Sequence, residues 1–266
     1  MKQAARFVVL LALAVHVPGA SAADPESSNP ALDILVYGAS GEIGRHVVDE
    51  ALARGHRVKA VSRDPARIDR HHPQLTVNRG DILDPDSIRS LIGGRDIVVV
   101  SVRGVIGEPS DPENSVALKG LRHVVDAVRG SPVPGPRILH VGGAGSLELE
   151  PGRLLADALP GLFMSQTLET EIRAQVLALE YLRGVDDVAW TYITPPKVLT
   201  ERKRTGRYRI GGDRMMEDEY GASTISRADF AVALIDEAER GDYPVSYTHL
   251  TLPTNVSMCS GRGGGG

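Results

Sequence analysis

Apolar residues cluster along the chain in two alternating ways: short runs rich in β-branched side chains, and longer stretches in which apolar positions recur every three or four residues. The first run, residues 32–37 (Leu-Asp-Ile-Leu-Val-Tyr), predicts a buried parallel strand ending at Gly38. Behind it Ile43, Val47, Val48, Ala51 and Leu52 keep helical spacing until Gly55 stops the helix. Further strands are predicted over 57–62, 75–78, 96–100, 136–141 and 188–193. Asp84-Pro85-Asp86 predicts a capped helix running to about Leu91, with proline at its first position. A glycine-, proline- and aspartate-rich loop over 104–114 precedes a helix carrying Val116, Leu121, Val124, Val125 and Val128. A long helix over about 167–182 shows Leu168, Ile172, Val176, Leu179 and Leu182, and a last one, capped by Ser226-Arg227-Ala228-Asp229, runs through Ala238. A small hairpin is predicted around 208–212. Strands alternating with helices predict an α/β fold, a doubly wound parallel sheet in a single domain over 32–245. Its first half is expected to serve a ligand, and the part after Gly142 to add a small substrate-side extension.

Both ends of the chain break this pattern. Met1-Lys2 and Arg6 precede an apolar run over 7–17, closed by Pro18-Gly19-Ala20-Ser21-Ala22. A basic start, a short apolar stretch and an Ala-x-Ala ending predict a secretory signal peptide over 1–22, then a polar linker over 23–31. The run is too short to predict a membrane span, so stable membrane insertion is not expected. The expected destination is periplasmic or secreted; if the leader is instead a buried strand or helix, the chain is cytoplasmic. From 246 to 266 the chain reads Ser-Tyr-Thr-His-Leu-Thr-Leu-Pro-Thr-Asn and ends in Gly-Arg-Gly-Gly-Gly-Gly, with no amphipathic period. This stretch resembles translated sequencing-adapter readthrough and is expected to be a non-native or disordered tail. The single cysteine, Cys259, falls within it, so the domain body carries no disulfide and no thiol chemistry.

Composition narrows the partners. A formal charge of −4 on 266 residues gives no basic field for nucleic acid, and 4% aromatics give no base-stacking platform. His71-His72 and the scattered histidines lack metal-ligand spacing, so no metal is expected. Arg202-Lys203-Arg204, followed by Glu217-Asp218-Glu219, reads as a surface loop, and Glu169 and Glu171 read as solvated helix positions. The expected partner is a small molecule.

The strongest chemical signal is Gly38-Ala39-Ser40-Gly41-Glu42-Ile43-Gly44, which directly follows a predicted strand and opens a helix. Gly38 permits the tight turn, Gly41 lets the backbone approach a pyrophosphate, and Gly44 lets helix and strand pack closely. The helix N-terminus then offers free N–H groups and positive dipole to phosphates. At the end of the second strand stands Ser62-Arg63-Asp64-Pro65. Arg63 suits a 2′-phosphate and so NADP(H), whereas Asp64 reading a ribose hydroxyl would suit NAD(H). In Gly80-Asp81-Ile82, Asp81 either accepts from an adenine amino group with Ile82 against the ring, or closes a turn. Ser101, Val102 and Arg103 end the fourth strand, where a dinucleotide crosses the sheet edge. Arg103 meets a phosphate or a substrate acid there, or is a surface arginine.

Together with Asp187-Val188-Ala189-Trp190-Thr191-Tyr192-Ile193-Thr194-Pro195, these residues resemble the atypical short-chain dehydrogenase/reductase superfamily. Within it the chain resembles the NmrA-like, NAD(P)H-binding group that includes biliverdin and flavin reductases, over about residues 32–240. The resemblance implies a Rossmann-like fold and cofactor contacts from Gly38, Ser40, Gly41, Glu42, Ile43, Gly44, Arg63, Asp81, Ile82, Ser101, Val102 and Pro195. Conventional members carry a Tyr-x-x-x-Lys pair on the helix after strand five, the lysine lowering the tyrosine pKa. Here Tyr181 is followed four residues later by Val185, and Tyr192 and Lys197 have the wrong spacing. A conventional alcohol-dehydrogenase mechanism is therefore not expected. Hydride transfer from NADPH to a flavin, quinone or similar acceptor needs no built-in acid, since the second proton can come from water. Ser146, His140 and Thr194 to Pro196 lie near the nicotinamide in this reading. Ser146 is the candidate catalytic hydrogen-bonder or a turn residue, and His140 a catalytic or a core histidine. The alternative function is a redox sensor of the NmrA-like type that binds NADP(H) without turnover.

Overall fold

In the computed structural model, which describes residues 30–251 except 107, 109, 133, 160–163 and 244–245, with backbone alone over 246–249, the apolar runs form strands whose two faces meet different helices. In β1 (Asp33–Tyr37), Ile34 and Val36 point into one core and Leu35 and Tyr37 into the other. The period of two along an extended chain sorts them. Burial on both sides is why the run is almost wholly apolar.

The chain continues through α1 (Gly44–Ala53), β2 (Arg57–Ser62), β3 (Leu75–Arg79), α2 (Pro85–Ile92), β4 (Ile97–Val100), α3 (Val116–Arg129) and β5 (Arg137–Val141). A small extension follows, made of β6 (Glu148–Glu150), β7 (Arg153–Leu154) and α4 (Leu155–Ala158). Then come α5 (Gln166–Arg183), β8 (Trp190–Thr194), β9 (Val198–Thr200), β10 (Arg209–Gly211), β11 (Thr224–Ser226), α6 (Arg227–Arg240) and β12 (Ser246–Thr251). Among the described residues eight strands form the main sheet, in the order β10-β12-β8-β5-β4-β1-β2-β3. All its pairings are parallel except β10 against β12. One core packs Val47, Val48 and Ala51 of α1 with Phe230, Leu234 and Ile235 of α6; the other packs α2, α3 and α5. This is the expected Rossmann-like, doubly wound fold. From β1 the chain runs outward to β2 and β3, then returns to lay β4 on the other side of β1. A crevice therefore opens between the C-terminal ends of β1 and β4, where strand order reverses.

Most helix starts are satisfied by side chains: Asp84, Ser115, Ser165 and Ser226 each accept a backbone N–H at the start of α2, α3, α5 and α6. α1 differs, since Ile43 precedes it in helical conformation and no side chain caps it.

Two expectations are corrected. Residues 208–212 make no hairpin; β10 instead runs antiparallel to β12, Ile210 opposite Leu250. Residues 246–251, expected to belong to the tail, form β12 and extend the domain past 245. β12 covers the edge that β8 would otherwise expose, with Leu250 and Thr251 each 2% exposed. The expected signal peptide, nearly all of the linker and the rest of the tail, 252–266, lie outside the described residues. No helix among the described residues is long and apolar enough to cross a membrane.

Candidate cofactor cleft

The crevice at the strand-order reversal is a cleft of about 610 Å³. Its upper wall is the loop between β1 and α1. Gly38 turns there with φ +81°, and a Cβ on it would overlap the Ser101 carbonyl at the end of β4. A Cβ on Gly44 would overlap the Gly38 carbonyl, so the helix lies as close to the strand as backbone allows. Gly41 is tight only against the Gly38 oxygen, 3.0 Å from its would-be Cβ, and otherwise faces open space. The amides of Glu42 and Ile43 have no hydrogen-bond partner among the described residues. Free amides, an uncapped helix start and missing side chains form an anion cradle, and the residues present fit the diphosphate of a dinucleotide.

The nucleotide end continues along β2 and β3. Ser62 is buried and holds the turn after β2, donating to the Asp64 carbonyl at 2.9 Å and lying 3.2 Å from the Ser40 hydroxyl. That turn projects Arg63 and Arg67 along the cleft, both exposed and in no ion pair among the described residues. Arg103 stands likewise exposed on the β4 side. Glu42 is the opposite case: Arg227 contacts it at 3.0 Å and holds its carboxyl below the usual carboxylate range. Arg227 also meets Glu201 at 2.9 Å, and Glu201 meets Arg45 at 3.2 Å, so an ionic clasp joins the phosphate loop to the segment after β9.

The NAD(P)H-binding family model matches residues 38–240. The chain belongs to that family. A crystal structure of a proposed epimerase from Bacteroides thetaiotaomicron is 30% identical, covers 85% of this chain and 99% of its own, and superposes with a TM-score of 0.75. A protein from Burkholderia pseudomallei described as a proposed exported protein is 32% identical over 83% of this chain and 99% of its own, with a TM-score of 0.69. A proposed NADH-flavin reductase from Streptococcus pneumoniae is 25% identical over 84% of this chain and 100% of its own, with a TM-score of 0.70.

Within this NAD(P)H-binding domain the structure brings Gly38, Ser40, Gly41, Glu42, Ile43, Arg63, Asp81, Ile82, Ser101, Val102 and Pro195 to the cleft wall. Gly44 lies behind it as the packing glycine. Asp81 both lines the cleft and closes a turn, its Oδ1 accepting the Leu83 amide at 3.0 Å. Ile82, 5% exposed, is packed against Gly120 of α3.

Of the two roles expected for Ser146, the structure gives it the turn role and not the catalytic one. It is 4% exposed, and its hydroxyl donates to the Gly143 carbonyl at 2.9 Å, locking the turn after β5 rather than lining the cleft. The Gly-Gly-Ala-Gly-Ser segment closes on itself, which draws the hydroxyl inward. Glu171, expected to be solvated, lines the cleft. The apolar period of α5 mixes two surfaces: Ala174, Ala178, Leu179 and Leu182 are buried in the core, while Leu168 and Ile172 face the cleft beside Glu171 and Gln175. Positions 168, 171, 172 and 175 share one helical face, a spacing that could have revealed them.

Beneath that face lies a polar network. His140 is fully buried, and burial pushes it down to about 4, opposed by its bond to Gln175, so it is neutral near pH 7. Its Nε2 lies 3.0 Å from Gln175 Oε1, and its ring stacks on Tyr192 at 5.3 Å. The Tyr192 hydroxyl donates to the Gln175 carbonyl at 2.8 Å and accepts the Gly143 amide at 3.3 Å. A Cβ on Gly142 would overlap the Tyr192 ring, so glycine is required there. Gly142, Gly143, Gln175 and Arg67 are site residues that the sequence reading missed.

Proposed function

We propose that the protein is an NADPH-dependent oxidoreductase that reduces a flavin, quinone or similar small planar acceptor. The observation that carries this reading is the division of the cleft. One end offers amides and arginines, Arg63 and Arg67, that are unpaired among the described residues, and the other offers Val141, Ile172, Pro195 and Leu199 with no tyrosine–lysine pair on α5.

Gly38, Gly41 and the amides of Glu42 and Ile43 would hold the diphosphate, and Arg63 and Arg67 a 2′-phosphate, which favours NADP(H) over NAD(H). Bound there, reduced nicotinamide supplies a hydride, and water supplies the second proton of the two-electron reduction. The chain's own part is to orient two rings and keep bulk water from between them. Membership of an NAD(P)H-binding family makes oxidoreduction the expected chemistry, and the similarity to a proposed NADH-flavin reductase favours a flavin-like acceptor.

One observation favours a second reading, an NADP(H)-binding redox sensor of the NmrA-like type. The clasp from Glu42 through Arg227 and Glu201 links the phosphate loop to the exposed segment over 201–207, a route from cofactor occupancy to the surface. Turnover separates the two. Purified protein given NADPH with FMN or menadione should consume NADPH, read by nicotinamide absorbance. Saturable NADPH binding with no consumption by any flavin, quinone or carbonyl overturns the enzyme reading in favour of the sensor.

We also propose export. The N-terminal residues have signal-peptide form, and a similar structure is described as a proposed exported protein. N-terminal sequencing of the mature protein tests this: a start at Ala23 supports export, and retention of Met1 in the cytoplasm overturns it.

A further inference from the structure

At the acceptor end of the cleft one polar side chain has a fixed orientation and an unused donor. Gln175 projects from α5 into the cleft, and its Oε1 lies 3.0 Å from His140 Nε2. An amide oxygen only accepts, so His140 carries its proton on Nε2 and donates. The opposite amide orientation would force the proton onto Nδ1, which is buried without a partner. A buried orphan N–H is rarer in proteins than an under-used acceptor, so the first arrangement wins. The backbone beneath is held as well, because Tyr192 bonds the Gln175 carbonyl and the Gly143 amide together.

With Oε1 turned inward, the Gln175 NH2 group has no partner among the described residues, and the side chain is only half-buried. The same helical face carries Glu171, Ile172 and Leu168, the last a leucine left 43% exposed at the cleft. Pro195 and Leu199 line the same cleft from the far side of the sheet end. Apolar walls with one neutral donor, beside the Glu171 carboxylate, match a flat ring that presents a carbonyl oxygen to that donor.

We propose that these residues form the acceptor subsite, in which Gln175, oriented by His140, donates a hydrogen bond to a carbonyl oxygen of a planar acceptor ring resting against Ile172 and Leu168. This rests on the oxidoreductase reading and adds the group that recognises the substrate class. Gln175 touches the acceptor; His140 is a positioning residue. A neutral amide has no proton to lose and strengthens its bond as negative charge grows on the acceptor oxygen. The acceptor gains two electrons and one proton as hydride and takes its second proton from water, so no side chain changes protonation state.

The test is equilibrium binding of FMN, by flavin fluorescence, to the full chain saturated with NADP+, together with the NADPH Kd and the KM for FMN. Gln175→Ala should raise the FMN Kd and KM about tenfold and leave the NADPH Kd within about twofold. Gln175→Glu keeps the size but brings no donor, so it should weaken FMN at least as much, and it carries the test if the alanine variant does not fold. His140→Phe keeps the ring stacked on Tyr192 but frees the amide to rotate, and about a threefold rise in FMN Kd is expected. A merely structural role for His140 would not move FMN binding in a folded variant. Unchanged FMN affinity in the folded Gln175 variants overturns the proposal. So does weakened NADPH binding, which would assign the amide to the cofactor. If the wild type binds FMN but consumes no NADPH, the oxidoreductase reading fails while the Kd values still decide the role of Gln175. If neither FMN nor menadione is bound, the subsite itself is refuted.

Discussion

The two ends of the cleft are built differently. At the nucleotide end the hydrogen-bonding capacity is left open: among the described residues the Glu42 and Ile43 amides are free, and Arg63 and Arg67 stand exposed without a carboxylate. At the acceptor end His140, Tyr192 and Gln175 are bonded to one another around Gly142-Gly143, and the Gln175 NH2 group and Glu171 are left to the cleft. A multiply charged ligand needs unused donors and room for close approach. A neutral ring needs a fixed wall that sets its angle. The contrast teaches that one end depends on absent side chains and free charges, and the other on side chains already bonded to each other, so the two should respond to different perturbations.

The largest effect should come where backbone meets backbone. Gly44→Val places a branched side chain against the Gly38 carbonyl, and the loop cannot keep its shape. Overpacking of this kind costs about 1–3 kcal/mol in stability, and NADPH binding should be lost outright. Urea unfolding and an NADPH titration check both. A folded Gly44→Val protein with wild-type NADPH affinity would erase the distinction between the two ends.

Next is a pH effect whose largest contributor lies at the acceptor end. The ordinary histidine value is 6.5, and burial pushes His140 to about 4. Between those values the unfolded chain binds a proton that the folded chain refuses, so stability falls as the pH falls through that window. The shift corresponds to roughly 3 kcal/mol at ~1.36 kcal/mol per pKa unit. His46, also pushed down by burial, acts in the same direction. Urea midpoints followed from about pH 7 to about pH 4 should fall less steeply in His140→Phe than in the wild type. Parallel curves would mean that the network accepts a charged imidazole.

How legible each end was in the sequence follows from the same contrast. The nucleotide end is made by one contiguous segment plus the ends of β2, β3 and β4, and local chemistry reveals such a site: glycine spacing, a preceding strand, an arginine at a strand end. The strands were legible because burial on both faces leaves unbroken apolar runs. The acceptor end joins β5, α5 and β8, with His140 and Gln175 35 residues apart and Gly143 and Tyr192 49 apart. No local pattern states that pairing. On α5 the pattern misled, since Leu168 and Ile172 kept the period of a core helix while facing the cleft. Ser146 looked like a site residue because its turn closes inward only once Gly143 and Thr194 are in place.

A smaller effect tests the open charges at the nucleotide end. Arg63→Ala should weaken NADPH by about 10- to 100-fold, the worth of charge-assisted hydrogen bonds at about 1.5–3 kcal/mol. NADH affinity should hardly change. Arg67→Ala should act in the same direction, since both arginines line the same stretch of cleft. Dissociation constants for the two nucleotides decide it. An unchanged NADPH-to-NADH ratio in the double variant would transfer the discrimination to another group and refute this use of the open cations.

The smallest effect compares two tyrosines under the cleft floor. Tyr192 has its hydroxyl bonded on both sides, so Tyr192→Phe leaves the Gly143 amide and the Gln175 carbonyl short of a partner. A loss of about 1 kcal/mol is expected. Tyr37, 1% exposed below the nucleotide end, has a buried hydroxyl with no partner among the described residues, and burial pushes its ionisation upward. Removing a buried polar group without a partner relieves a desolvation cost, so Tyr37→Phe should gain about 1 kcal/mol. Opposite signs from the same chemical change would show that polar groups are bonded inward at one end and left open at the other. If both variants lose stability by similar amounts in urea, the Tyr37 hydroxyl is already bonded in solution, and the polar groups beneath the nucleotide end are satisfied just like those of the acceptor end.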